Sequence, residues 1–273
     1  MCRWLAYSGA PLFLEELIFK AKHSLAQQSR DSRLGELPMN GDGFGVGWYG
    51  RRGRKPAVFR DTRPAWNDQN LREISGQVES HLFLAHIRAT TGTHVQQSNC
   101  HPFRHGEWLF MHNGLIRGYE KVRRQLAMAV DPSLYSNLAG TTDTEILFYL
   151  ALTFGLEDDP KGAVSKMAGF VESICDRAGV DSPLMMTLGI SDGERIYSVR
   201  YSSERESRTL FYSKDVDALR NLHPDADSFS DDARAIVSEP LSEIDDWVPI
   251  DESTWIVVDH GAVELEPFEP ITP

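Results

Sequence analysis

Cysteine is scarce in this sequence, long apolar runs are absent, and positive charge nearly vanishes toward one end. The three cysteines, Cys2, Cys100 and Cys175, are widely spaced and form no CxxC pair, a pattern of reduced thiols rather than of a disulfide framework. Nowhere do about 18 apolar residues run together, and the opening Met1-Cys2-Arg3-Trp4-Leu5-Ala6-Tyr7 has no apolar signal-peptide core, so no membrane association and a cytoplasmic location are expected. From residue 215 to residue 273, 16 acids stand against only Arg220 and Arg234, a local charge of -14, while the first 214 residues carry +2. A nucleic-acid footprint needs a basic stripe and is excluded; the acidic stretch reads as a solvated face. Low-complexity tracts and internal repeats are lacking too, which removes disorder and solenoids.

What remains is an ordinary globular composition, 41% hydrophobic and 25% charged over 273 residues, long enough to bury a full core. A strand over residues 5–9 begins almost at the chain's start, so the first residues belong in a sheet. Helical spacing of Leu14, Leu17, Ile18, Ala21 and Leu25 predicts a helix over 12–29. Phe44, Val46 and Trp48 alternate with glycines over 43–49, a strand that permits close backbone approach. Buried strands over 82–87 and 107–111 each run into polar residues, Arg88 onward and His112-Asn113-Gly114, and functional groups gather where strands end. Helical periodicity follows over 119–130, 144–154 and 163–178, with Thr142 or Asp143 as a cap. Strands then return over 184–191, 195–201, 209–212, 235–238, 254–258 and 262–266, with Asp192-Gly193 as a hairpin turn. Strands, helices and strands again predict a mixed α+β fold of two sheets with helices packed on them, not an alternating βαβ sheet.

Two motifs mislead. Gly45-x-Gly47-x-x-Gly50 spells the dinucleotide fingerprint, but residues 51–56 follow where a phosphate-binding helix would be required. His94, Cys100, His101, His105 and His112 are rich in ligand types, yet their spacing fits no standard zinc pattern; neither metal nor cofactor is expected.

Cys2 carries more information. A small second residue permits removal of Met1, which would leave a thiol and a free α-amine on one residue. The amine has a reference pKa of about 7.7 to 8.0 and the thiol one of about 8.5, so a single residue could supply both base and nucleophile. Four segments follow in order: Asn40-Gly41-Asp42-Gly43-Phe44-Gly45-Val46-Gly47, Ala85-His86-Ile87-Arg88-Ala89-Thr90-Thr91-Gly92, His112-Asn113-Gly114, and Thr142-Asp143-Thr144-Glu145. With the start at Met1-Cys2-Arg3-Trp4 and Val237-Ser238-Glu239-Pro240-Leu241 near the end, the chain resembles class II glutamine amidotransferase domains over essentially its whole length. It is most similar to their stand-alone members, including the γ-glutamyl amidases of ergothioneine synthesis.

That resemblance implies the four-layer αββα sandwich of N-terminal-nucleophile hydrolases as a single domain over 1–273, an amidohydrolase whose Cys2 attacks a γ-glutamyl amide through a thioester. It assigns the oxyanion donors to the Asn113 side chain and the Gly114 N–H, and substrate binding to Arg88, Thr91 and Asp143. The chemistry is coherent: an α-amino acid needs a two-pronged cation for its carboxylate, as Arg88 offers, and an anion for its ammonium, as Asp143 offers at a helix start. Simpler readings are a surface ion pair for Arg88, a helix cap for Asp143 and a hairpin turn for Asn113-Gly114. Gly92 stands where many members of the family carry a histidine, and no ammonia-accepting domain follows Pro240. The chain is thus expected to feed a separate ammonia-accepting partner from glutamine, to cut another γ-glutamyl amide by itself, or to bind glutamate-like ligands without catalysis.

Overall fold

The computed structural model describes residues 2–34, 39–51, 53–90, 93–223 and 229–273. The first half contains β1 (Arg3–Phe13), a π-helical turn (Glu16–Lys20), α1 (Leu25–Gln28), β2 (Phe44–Trp48), β3 (Ala57–Asp61), α2 (Gln69–Ser75), β4 (Glu79–Ile87), β5 (Phe103–His105) and β6 (Trp108–Ile116). Helices α3 (Tyr119–Met128), α4 (Pro132–Tyr135), α5 (Asp143–Thr153) and α6 (Pro160–Arg177) come next. Strands β7 (Leu184–Ser191), β8 (Ile196–Ser202) and β9 (Phe211–Ser213), α7 (Val216–Arg220), then β10 (Arg234–Val237), β11 (Trp247–Pro249), β12 (Thr254–Asp259) and β13 (Ala262–Pro267) complete the order.

The strands form two antiparallel sheets, β11-β9-β10-β1-β4-β2-β3 and β13-β12-β8-β7-β6-β5. Side-chain alternation makes each sheet two-faced. In β1, Trp4 and Ala6 join Leu82, Leu84, Leu109, Met111 and Ile256 between the sheets, while Leu5 and Tyr7 pack outward with Leu17, Leu25, Phe83 and Leu219. In β6, Phe110 faces the other way, against Val122, Phe148 and Val164 of α3, α5 and α6. Three cores separate four layers, so the fold is the αββα sandwich of the N-terminal-nucleophile type. Helix α5 is buried on every side from Thr144 to Ala151, as its nearly uniform apolarity requires.

Two local expectations fail. The helix over 12–29 is broken into the π-helical turn and α1, because His23 turns inward to Glu239 at 2.5 Å and Ser24 caps a fresh helix by accepting from the Gln27 N–H. Strand β6 does not stop at Met111; its pairing with β7 runs through Asn113↔Thr187 and Gly114↔Met186 to Ile116↔Leu184, so Asn113-Gly114 is strand, not turn. The close approach expected at the β2 glycines is present: a Cβ on Gly45 would lie 2.2 Å from the His101 carbonyl oxygen. After Gly50 the chain leads to β3, and among the described residues no helix stands between β2 and β3.

Candidate active site

Register assembles the site. The β1–β4 ladder pairs Arg3 with Ile87, so the residues just beyond its end, Cys2 and Arg88, are neighbours. The Cys2 thiol lies 3.5 Å from the Ala89 carbonyl oxygen. Opposite, the open end of β6 and the start of α5 close the space. Cys2, Arg88, Gly114 and Asp143 line one cavity of about 540 Å³. Thr91 lies outside the described residues.

Arg88 is 3% exposed. Its Nη2 donates to Thr93 Oγ1 at 2.6 Å, Thr90 Oγ1 at 3.2 Å and the His94 carbonyl at 3.2 Å, and its Nη1 reaches the Asp42 carbonyl at 3.4 Å. These acceptors are neutral, and no carboxylate among the described residues pairs with it. A buried cation without a counter-ion is costly, and the cost is relieved when an anion enters. The opposite charge stands across the cavity at Asp143, whose Oδ2 accepts from the Ile116 N–H at 2.9 Å and whose Oδ1 accepts from the Thr144 N–H at 2.8 Å. It has no cationic partner among the described residues. Thr142, not Asp143, caps α5 by accepting from the Glu145 N–H, and Asp143 lines the cavity.

The edge of β6 supplies donors. Strand β5 covers β6 only over Trp108–Phe110. Past that point the Ile116 N–H points outward to Asp143 and the His112 N–H outward to His101 Nδ1 at 3.4 Å. By the two-residue period of a strand the Gly114 N–H points to this same uncovered edge. Asn113 is 3% exposed, and among the described residues its amide nitrogen has no hydrogen-bond partner. A Cβ on Gly114 would lie 1.9 Å from the Met185 carbonyl oxygen and 2.4 Å from His112 Nε2. Only glycine fits there.

Burial pushes the Cys2 thiol up, and the Arg88 and Arg3 cations pull it partly back. The thiol is therefore protonated near neutrality and needs a base to become a nucleophile. Cys100 and Cys175 are fully buried, and burial raises each to about 11.

The fold brings three histidines together beside this cavity: His101 and His112, from the set whose spacing fits no zinc pattern, and His86, from the motif that runs into Arg88. His86 and His101 have ring centroids 4.2 Å apart, and His86 Nε2 meets the His112 carbonyl at 3.3 Å. His112 spans from the Met185 carbonyl at 3.2 Å to Thr144 Oγ1 at 3.0 Å, bracing β6 against α5. Among the described residues no cluster of His, Cys, Asp or Glu is arranged to hold a metal ion, and no helix is long and apolar enough to cross a membrane.

The profile of class-II glutamine amidotransferases matches residues 19–272, and the chain belongs to that family, an enzyme of amidohydrolase type. Among its relatives, the probable glutamine amidotransferase DUG3 of Saccharomyces cerevisiae is 30% identical over 302 residues, covering 98% of this chain and 84% of that one. The gamma-glutamyl-hercynylcysteine sulfoxide hydrolase of Mycolicibacterium smegmatis is 30% identical over 171 residues, 62% of this chain and 74% of that one. A glutamine aminotransferase class-II domain protein from Silicibacter pomeroyi superposes with a TM-score of 0.74 at 32% identity, over 98% of this chain and 100% of that one. The glutamine phosphoribosylpyrophosphate amidotransferase of B. subtilis shares the fold, with a TM-score of 0.67 at 15% identity over 99% of this chain and 50% of that one.

Proposed function

We propose that residues 1–273 act as one domain that hydrolyses the γ-amide of glutamine or of a larger γ-glutamyl compound, with Cys2 as nucleophile once Met1 is removed. The observation that carries this reading is one cavity lined by the Cys2 thiol, by Arg88, a buried cation that no acid pairs with among the described residues, and by Asp143, an anion that no cation pairs with among them. An α-amino acid headgroup complements both charges. Its carboxylate pairs with Arg88, its ammonium pairs with Asp143, and its side-chain amide extends to Cys2; Thr91 is a further proposed contact.

The exposed α-amine of Cys2, through a water, takes the thiol proton. Sulfur then bonds to the γ-carbon, and the oxyanion is held by the Asn113 amide and the Gly114 N–H. The amine returns the proton to the departing nitrogen as the C–N bond breaks. Water, deprotonated by the same amine, hydrolyses the thioester to free glutamate and thiol.

A larger leaving group than ammonia is favoured by one further feature. A second cavity of about 680 Å³, lined by Arg123, Tyr135 and Leu138, shares Tyr119, Glu120 and Thr142 with the first. A separate ammonia-accepting protein is the arrangement expected if glutamine is the substrate instead. Assaying glutamate release from glutamine and from a series of γ-glutamyl amides of increasing size decides between them, with Cys2→Ala as the inactive control. Intact mass measurement tests the amine: an active protein that retains Met1 would end the mechanism.

A further inference from the structure

Arg3 and the Val237–Leu241 motif have no part in the chemistry above, yet the fold joins them directly behind the nucleophile. Glu239 is 2% exposed. Its Oε2 accepts from Arg3 Nε at 2.9 Å, from Ser32 Oγ at 2.8 Å and from the Leu34 N–H at 3.2 Å. Its Oε1 accepts from the Arg33 N–H at 2.8 Å and faces His23 Nε2 at 2.5 Å. Burial alone would raise this carboxyl, but His23, the Arg33 N–H, Arg3 and Ser32 together hold it down at about 2. Arg3, equally buried, turns its other nitrogens to the Cys2 carbonyl at 2.9 Å and to Ser32 Oγ at 2.5 Å. One residue along, Trp4 is gripped on both sides, its carbonyl by the Ser238 N–H at 2.9 Å and its N–H by Ser238 Oγ at 3.2 Å.

A nucleophile at the end of a chain has a particular difficulty. The β1 ladder begins at Arg3, so Cys2 lies beyond the last paired residue, where chains fray. With Met1 gone, one peptide bond would tether it, and both its thiol and its amine must keep their direction toward the substrate. The guanidinium on the Cys2 carbonyl restrains that peptide, and Glu239 fixes the guanidinium. We infer that Glu239 is a positioning residue for this reaction, acting through Arg3 to hold the Cys2 peptide so that thiol and α-amine face the γ-carbonyl. The inference rests on Cys2 being the nucleophile.

Glu239→Gln keeps the volume but sets an NH2 group against donors: Arg3, Ser32 and the Leu34 N–H on one side, or His23 and the Arg33 N–H on the other. Arg3→Lys keeps the charge but cannot span Glu239, Ser32 and the Cys2 carbonyl together. Both variants are measured on Met1-free protein confirmed by mass, with kcat expressed per Cys2 that iodoacetamide can alkylate; the buried Cys100 and Cys175 are slow in that titration. The expected result is a fall in kcat of about 100-fold with KM and the iodoacetamide rate each within about threefold, since Arg88, Asp143 and the thiol itself are untouched. If Glu239→Gln does not fold, Arg3→Lys and Ser32→Ala carry the decision. A kcat per titratable Cys2 equal to wild type, or a loss confined to KM, overturns the inference and leaves the functional reading intact. A wild-type protein whose Cys2 is alkylated but which cleaves no γ-glutamyl amide overturns both.

Discussion

Asn113 offers a test in which stability and activity should part company. The residue is 3% exposed and its side-chain nitrogen has no hydrogen-bond partner among the described residues, and an unsatisfied buried polar group costs about 1–3 kcal/mol. Asn113→Ala removes that penalty and leaves a small void in its place, so the two effects offset and unfolding free energy should change by no more than about 1 kcal/mol. In the proposed mechanism the same nitrogen gains a partner in the transition state, the developing oxyanion, and losing one such donor costs about 2.7–4 kcal/mol, or about 10²- to 10³-fold in kcat. Because the donor is used only when charge develops, KM should hardly move. Urea denaturation gives the first number and initial rates at saturating γ-glutamyl amide give the second. A variant that keeps kcat within about threefold, or loses activity only through KM, would refute the oxyanion assignment. Asn113→Asp sharpens the contrast by placing a like charge where the oxyanion forms, and its kcat should fall below that of the alanine variant.

Other consequences follow from the same geometry. Arg88→Lys retains charge but not the planar fork, and Asp143→Asn removes the anion; each should cut kcat/KM by about 30-fold or more, mostly in KM, in line with about 2–5 kcal/mol for a broken buried charge pair. Gly114→Ala must move β6 away from Met185 and His112, so melting should drop by at least about 3 °C and activity should vanish, both readable in one purified sample. Acid should unfold the protein early. Burial pushes His86 down to about 3 and holds His101 and His112 below their ordinary range, while the same rings in an unfolded chain titrate near about 6.5. Below that pH the unfolded state takes up the extra protons, so stability is lost by up to about 1.4 kcal/mol per histidine per pH unit until the folded values are reached. Circular dichroism across pH should show unfolding between about pH 6 and 4; a protein still folded at pH 3 would contradict three neutral buried rings.

Much of the sandwich was legible because alternation is a local property. Leu184–Ser191 matches β7 residue for residue, and the long helices fall within a few positions of their expected spans. The failures share a cause, a distant residue overriding the local pattern. His23 leaves a good helical register because Glu239, 216 positions away, accepts it. Asn113-Gly114 has the composition of a turn, yet the β7 ladder carries it straight. Short edge strands such as β3, β5 and β11 carry too few residues for alternation to stand out.

The same distinction governs the site. Cys2, Arg88, Asn113, Gly114 and Asp143 could be named from motifs, but spacing in the sequence cannot say that the cation and the anion have no charged partner among the described residues. That emerges only when every neighbour has been accounted for. Arg3 shows the converse. In the sequence it is one more arginine beside a motif, and in the fold its carboxylate partner arrives from the far end of the chain, so the residue next to Cys2 is also the one whose role the local pattern could not supply. On the proposed reading such a site separates two demands: charges left open to the cavity bind the ligand, whereas charges paired out of solvent, Arg3 with Glu239, hold the reacting residue still. The Glu239 and Arg88 variants should accordingly fail in different kinetic constants, the first in kcat and the second in KM.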